Sequence, residues 1–203
     1  MSKKLIIVFE GIEGSGKSHH INKVTKYLRK INKNFIQIRE PGGSKNSEKI
    51  RKLILNNKST FNRYTDLLLY LSARSENIEL IKKNIQKKII LIDRFSDSTI
   101  AYQHYGMGIS LNFIKNINNF LLKDINIDFT FLNTVNLKNM KNRLNKRKNL
   151  NRYDMFNNNF YKKVQAGFIK ISKKNPKKYM IIDSNKKIEE NEKVILNKID
   201  DLI

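Results

Sequence analysis

Apolar and polar positions alternate in blocks along this chain. Five short apolar runs have strand length: LIIVF at 5–9, FIQI at 35–38, KIILI at 88–92, FTFL at 129–132 and YMII at 179–182. Few polar residues interrupt them, which is the pattern of strands buried on both faces. Between the runs the period changes. Ile21, Val24, Tyr27, Leu28 and Ile31 return every three or four residues in INKVTKYLRKI, as do Ile50, Leu53 and Ile54 in SEKIRKLILN. That spacing gathers apolar side chains on one stripe of a helix. The stretch from Tyr64 to Ile85 is long enough for one continuous helix, and further helices are expected over 97–104, 111–122, 137–147, 155–173 and 188–202. Buried strands alternating with helices predict an α/β fold, a parallel sheet covered by helices. The polar stretch NKRKNLNRYD at 145–154 interrupts two helical segments and is the candidate for a lid. With two prolines, no Ser/Gly-rich linker and no internal repeat, the 203 residues are expected to form one domain.

Glycine is scarce, yet three of the eight glycines fall within GIEGSG at 11–16, directly behind the first apolar run. Glycine costs backbone entropy on folding, so such a cluster needs a reason. A loop whose backbone N–H groups converge on an anion supplies one. Gly11, Gly16, Lys17 and Ser18 match G-x-x-x-x-G-K-[ST] between a predicted strand and a predicted helix, the setting of a phosphate-binding P-loop. In that reading Gly11, Ile12, Glu13, Gly14, Ser15 and Gly16 wrap the phosphates of ATP. Lys17 supplies a mobile positive charge, and Ser18 offers its hydroxyl to Mg²⁺. An ordinary strand-to-helix turn would leave the lysine and serine unexplained. The loop alone does not separate a kinase from a GTPase, a transporter ATPase or a helicase.

Three other segments carry chemistry. In ILIDRF, Asp93 falls at the carboxyl end of a predicted strand, where open α/β sheets place ligands and where a carboxylate can help hold Mg²⁺. Arg94 beside it suggests a second phosphate. REPGGS at 39–44 also follows a strand and leaves Arg39 facing the same crevice. Arg143 and Arg147 lie one helical turn apart, with Arg152 following in the polar interruption. The arginine fork suits bidentate contact with phosphate oxygens, although a solvated helix face reads the same way. Since the segment around Arg152 has little apolar content, this arginine is expected to serve turnover and to contribute little to folding.

Charge and composition narrow the classes. Lys+Arg number 41 against 18 Asp+Glu, a net charge of +23, but the lysines run from Lys3 to Lys198 in company with Asn and Ile. A spread of that kind makes no particular surface, so no dedicated nucleic-acid partner is expected, only salt-sensitive association with polyanions. There is no cysteine, which excludes disulfides, thiolate metal sites and cysteine nucleophiles. The amino-terminal apolar run stops at Glu10 without a small-residue cleavage site, too short to span a membrane, so a cytoplasmic location is expected.

Taken together, FEGIEGSGKS, REPGGS, LLYLSARSE, DRFSDSTIAYQ and RLNKRKNLNRYD resemble the bacterial-type thymidylate kinases, and the resemblance runs through essentially the whole chain. It implies a P-loop NTPase-like three-layer fold with a five-stranded parallel sheet flanked by helices, assembled as a homodimer. It also implies transfer of a phosphoryl group from ATP to dTMP with Mg²⁺ held at Ser18 and Asp93. By position, Glu10 would contact the deoxyribose side of dTMP, Arg39 and Arg94 its phosphate, and Arg74 the base and phosphate. Tyr70 would stack on thymine, although core packing within LLLYL reads equally well. Ser98, Tyr102 and Gln103 would complete the acceptor site, with Tyr102 crowding a 2′-hydroxyl. Arg147 and Arg152 would reach ATP and the transferring group, alongside Lys17. Two other readings remain: a different nucleoside or nucleoside-monophosphate kinase, and a nucleic-acid-dependent P-loop ATPase. The proline-containing G-x-P-G-x-G-K loop of adenylate-type relatives is absent, and no basic strip with interleaved aromatics supports the ATPase. The chain departs from the family pattern at His19, where threonine is common, at Asn133, where aspartate is usual, and at Asp154, where glutamate is frequent.

Overall fold

The first strand, β1 (Ile6–Gly11), is buried along its whole length at the centre of a five-stranded sheet. Its neighbours are β3 (Ile89–Asp93) and β4 (Phe129–Thr134), with β2 (Phe35–Arg39) and β5 (Tyr179–Asp183) at the edges. Every pairing is parallel. The structure is a computed structural model that describes residues 5–203. The amino-terminal lysines weighed above therefore lie outside the described residues.

Alternation along β1 explains why its sequence is apolar throughout. Ile7 and Phe9 face α1 (Lys17–Lys30) and α8 (Ile188–Leu202), packing with Val24, Leu28, Ile195 and Ile199. Ile6 and Val8 face the opposite layer, where Ile78 and Ile81 of α3 (Arg63–Asn84) meet Ile90 and Ile92. A strand with period two covered on both sides needs apolar residues at every position. The predicted three-layer P-loop NTPase-like fold is what forms.

Strand order β2-β3-β1-β4-β5 sends the chain outward from β1 on one side and, after β3, on the other. Ligands of open α/β sheets bind outside the carboxyl ends of the strands where that direction reverses. Register brings the candidate residues level there. Asp93 pairs with both Phe9 and Arg39, and Gly11 with Asn133. Of the remaining helices, α2 (Lys45–Leu55) is capped by the Ser44 side chain, α5 spans Leu111–Leu121, and α6 spans Leu137–Asn145. The last of this group, α7 (Asn158–Ser172), is capped by Asn157. The helix expected over 97–104 has a different build: a short α4 (Ser96–Thr99) runs into a π-helical turn at Ile100–Gly106. The polar stretch between α6 and α7 contains one 3₁₀ turn, Arg152–Met155. No helix among the described residues is long and apolar enough to cross a membrane.

Candidate active site

The loop between β1 and α1 explains its glycines. Gly11 has φ +139°, and a Cβ there would lie 2.2 Å from the backbone oxygen of Asn133 on the neighbouring strand. Gly16 has φ +90° and forms the N-cap of α1, which leaves the helix's first N–H groups free to meet an anion. Ile12 is buried in the core and holds the loop down. Lys17 is also buried: its Nζ donates to the carbonyls of Gly11 and Ile12, both at 2.9 Å, and to Ser15 Oγ at 3.3 Å. Burial, then repulsion from Arg94, pulls its ammonium down to about 8. Ser18 Oγ stands 3.4 Å from Asp93 Oδ2.

Two adjoining cavities open beside this loop. One, the more apolar, is lined by Tyr70, Arg74, Phe95, Tyr102, Gln103 and Tyr153. The π-helical turn shapes it, since Tyr102 and Gln103 are adjacent in sequence yet both are buried in its wall. A wider helical turn aims consecutive side chains at one side more nearly than an α-helix does. Gln103 lines this space, and its Nε2 is buried with no hydrogen-bond partner in the protein. Arg74 is 1% exposed and is clamped by Glu40 Oε2 (2.8 Å), Asn118 Oδ1 (2.7 Å) and Thr99 Oγ1 (2.9 Å). Burial in turn raises the Glu40 carboxyl above its ordinary range, despite Arg74.

The second cavity is polar and lies over Lys17, Ser18, Arg39, Arg51, Asp93 and Arg147. Arg39 forms a bidentate pair with Glu48, at 3.0 and 2.9 Å, at the end of β2. Arg51 donates to the Pro41 carbonyl at 2.5 Å. Burial, and then Arg39, lowers the pKa of Arg51. Arg94 joins the two cavities. Its left-handed backbone, φ 66°, folds the guanidinium back to Gly11 O (2.8 Å) and Glu13 Oε1 (2.9 Å), with its charge over the Tyr102 ring. A non-glycine residue in that conformation costs about 1–3 kcal/mol, strain that recurs where function needs it.

Most of the residues expected from sequence line this crevice, but of those expected to touch dTMP or the transferring group, two lie elsewhere. Glu10 lines neither cavity. Its carboxylate sits beneath them, accepting from the N–H groups of Phe95 (2.8 Å) and Ser98 (3.1 Å) and from Ser98 Oγ (2.5 Å). It pins the turn that follows β3. Burial, with repulsion from Asp97, pushes it up to about 7. Glu13 does line both cavities, as Glu40 does, and it also accepts from the Tyr102 hydroxyl. Arg152 lines neither cavity either: it pairs with buried Asp66 on α3 and donates to the Ile54 carbonyl at 3.1 Å. Sequence reasoning missed Arg51, Glu40, Asn118 and Tyr153. Arg51 sits among the lysines of α2 and Tyr153 in the polar stretch between α6 and α7, and no local pattern marks either.

A third cavity lies on the other side of the loop, among Gly16, His20, Arg143, Ser184 and Lys186. Arg143 donates to the carbonyls of Gly14 (2.9 Å) and Ser184 (2.6 Å). Asn133 is explained here, because its amide lies 2.7 Å from His20 Nδ1 and donates to Ser184 Oγ at 3.3 Å. Burial, and then the neighbouring His19, holds His20 down at about 4, so Asn133 faces a neutral ring. His19 instead turns outward to Glu192 on α8, at 2.7 Å.

Fold and site together define a P-loop nucleotide-binding protein with a second, aromatic-walled pocket beside its phosphate loop. The family model for thymidylate kinase matches residues 9–195, and the chain belongs to that family. It is 39% identical over 188 residues to the thymidylate kinase of Ehrlichia canis, covering 91% of this chain and 90% of that protein. It is 36% identical over 204 residues to that of Mycoplasma capricolum subsp. capricolum, covering 96% of each. The crystal structure of thymidylate kinase from Ehrlichia chaffeensis superposes with a TM-score of 0.79 at 32% identity, covering 98% of this chain and 99% of that one.

Proposed function

We propose that this protein transfers the γ-phosphoryl group of ATP to dTMP, giving dTDP and ADP. The observation that carries the reading is the junction at Arg94 and Glu13, where an aromatic pocket with an unsatisfied amide meets an arginine-rich cleft over the P-loop. The pocket suits a pyrimidine nucleoside. Tyr70 and Phe95 offer ring faces, Gln103 and Arg74 offer donors to base oxygens, and Tyr102 narrows the space beside the sugar. Glu13 is the carboxylate placed to meet a sugar hydroxyl, with Ser98 close by. The cleft then receives the acceptor phosphate between Arg39, Arg51 and Arg94. The third cavity, with Arg143 and Ser184 at its wall, suits the donor's nucleoside.

In the transfer, an oxygen of the acceptor phosphate attacks the γ-phosphorus, the bond from phosphorus to the β–γ bridging oxygen breaks, and ADP leaves with that electron pair. The protein's work is positioning and charge stabilisation. Donor phosphates give Lys17 acceptors to replace the loop carbonyls it now holds, and Arg94 and Arg147 flank the transferring group. One hydroxyl and one carboxylate, Ser18 and Asp93, fit Mg²⁺, which keeps several waters and needs few protein ligands. When bound there, Mg²⁺ would neutralise phosphate charge.

The chain would act as one cytoplasmic nucleoside-monophosphate kinase domain with 145–154 as its lid. Exposed apolar side chains on the contacting helices α3 and α5, Leu68 and Phe120 among them, support assembly as a homodimer. The test is an ATP-coupled assay against a panel of nucleoside monophosphates with and without Mg²⁺. Strong preference for dTMP is expected. Equal efficiency on AMP would overturn the assignment, and so would stimulation of ATP turnover by DNA in place of dTMP.

A further inference from the structure

We propose that Asp66 is a positioning residue through which the acceptor-side helix α3 sets the place of Arg147 in the phosphate cleft. The proposal rests on the function above. Asp66 is 2% exposed and touches neither cavity, yet both its oxygens are taken by the lid segment. Oδ1 accepts from Arg152 Nη2, and Oδ2 accepts from the Tyr153 hydroxyl at 2.5 Å. The partners lie 86 and 87 positions away along the chain, so only the fold joins them.

From Asp66 the contacts run unbroken in two directions. Toward the nucleoside pocket, Asp66 sits one helical turn before Tyr70 on α3. The Tyr153 ring meets Tyr70 edge-on at 5.7 Å and Tyr102 at 5.9 Å, so the residue Asp66 holds is itself a wall of that pocket. Toward the phosphates, the residue after Tyr153 is Asp154. Its Oδ2 accepts from the Asn151 backbone (2.9 Å) and side chain (2.5 Å), and its Oδ1 accepts from Arg147 Nη1 at 2.6 Å. Arg147 remains partly exposed and lines the phosphate cleft. Arg152 secures the same turn a second time, through the Ile54 carbonyl at the end of α2, and Tyr161 on α7 donates to the Tyr153 carbonyl at 2.5 Å.

Residues 146–151, between α6 and the 3₁₀ turn, form no helix or strand of their own. The position of Arg147 therefore depends on where Asp154 is held, and Asp154 is held by the turn that Asp66 anchors. A nucleoside that packs against Tyr70 and Tyr153 stiffens the same turn, so filling the acceptor pocket and placing the cleft arginine become one event. A charged arginine flexible in solution would lose time and entropy finding the transferring group. Asp66 thus acts through Arg147 and not on the substrate.

The test is a double-mutant cycle of Asp66→Asn with Arg147→Ala, measured as kcat and KM for dTMP and for ATP, at a temperature where thermal melts show each variant folded. Asp66→Asn keeps the volume and one acceptor oxygen. In the wild-type background it should lower kcat by about tenfold with a smaller change in either KM. In the Arg147→Ala background the same substitution should lower kcat by less than about twofold, because the arginine it positions is gone. Tyr153→Phe removes only the hydroxyl and gives a second cycle should Asp66→Asn fail to fold; its kcat loss should also shrink in the Arg147→Ala background. Independently of activity, trypsin should cut within 145–152 several times faster in Asp66→Asn than in wild type. Equal kcat losses in both backgrounds would make Asp66 a structural residue alone and overturn the proposal, as would unchanged cleavage. A wild-type protein inactive on dTMP would count against the function itself, and cleavage would still report on the anchor.

Discussion

Lys17 Nζ lies 2.9 Å from the carbonyl oxygen of Gly11, inside the loop that matches the phosphate-binding pattern. The ammonium is thus desolvated before any nucleotide arrives, and its pKa falls from 10.5 to about 8. Free enzyme binds ATP with this group charged, so kcat/KM for ATP should be flat below pH 8 and fall by about tenfold per unit above it. Lys17→Arg, whose charge does not titrate there, should lose the decline. The sign for stability is opposite. Below pH 8 the folded state carries the cost of the buried charge; between pH 8 and 10.5 the unfolded chain holds more protons at this site, so the Lys17 contribution to stability rises with pH. A pH–rate profile beside melts of wild type and Lys17→Met checks both. Lys17→Ala should cost on the order of 10²–10³ in kcat.

Arg152→Ala should destabilise the fold, against the expectation from its polar surroundings. The substitution leaves Asp66 buried without its ion-pair partner and frees the Ile54 carbonyl. Breaking a buried pair by removing one member costs about 3 kcal/mol. A denaturant melt measures it, and a stability unchanged within error would mean that the pair contributes nothing to the fold.

Gln103→Leu should separate stability from activity. Its Nε2 is buried without a partner, so replacing the amide by a side chain of similar size should leave the melting temperature unchanged or raise it. The same change should lower kcat/KM for dTMP by about 10- to 100-fold, the worth of a lost buried hydrogen bond to the base. A variant that is both less stable and fully active would show that the amide serves the protein and not the base.

Ser18→Ala and Asp93→Asn should act on the metal requirement. Each removes one of two oxygen donors that stand 3.4 Å apart at the cleft. Titration of activity against Mg²⁺ should shift to higher concentration by about tenfold for either, with melting temperatures close to wild type. Unshifted Mg²⁺ curves with lowered kcat would place both side chains on nucleotide instead.

Local sequence by itself determined the β1–loop–α1 unit and the existence of all five strands. Phosphate-loop chemistry is contained in eight consecutive residues, and strands buried on both faces announce themselves as unbroken apolar runs. It could not determine which of two carboxylates three residues apart faces the crevice. Glu10 is still within β1 and points beneath the turn after β3, whereas Glu13 has left the strand and lines both cavities. It could not show that Tyr102 and Gln103 share a wall, because the π-helical turn that turns them the same way carries no Pro, Gly or charge signature between Ile100 and Tyr105. Nor could it place Arg152, whose polar neighbours suggest a free lid. Its partners on α2 and α3 come from almost a hundred residues earlier, and only packing of the helices over the sheet brings a buried aspartate to meet it.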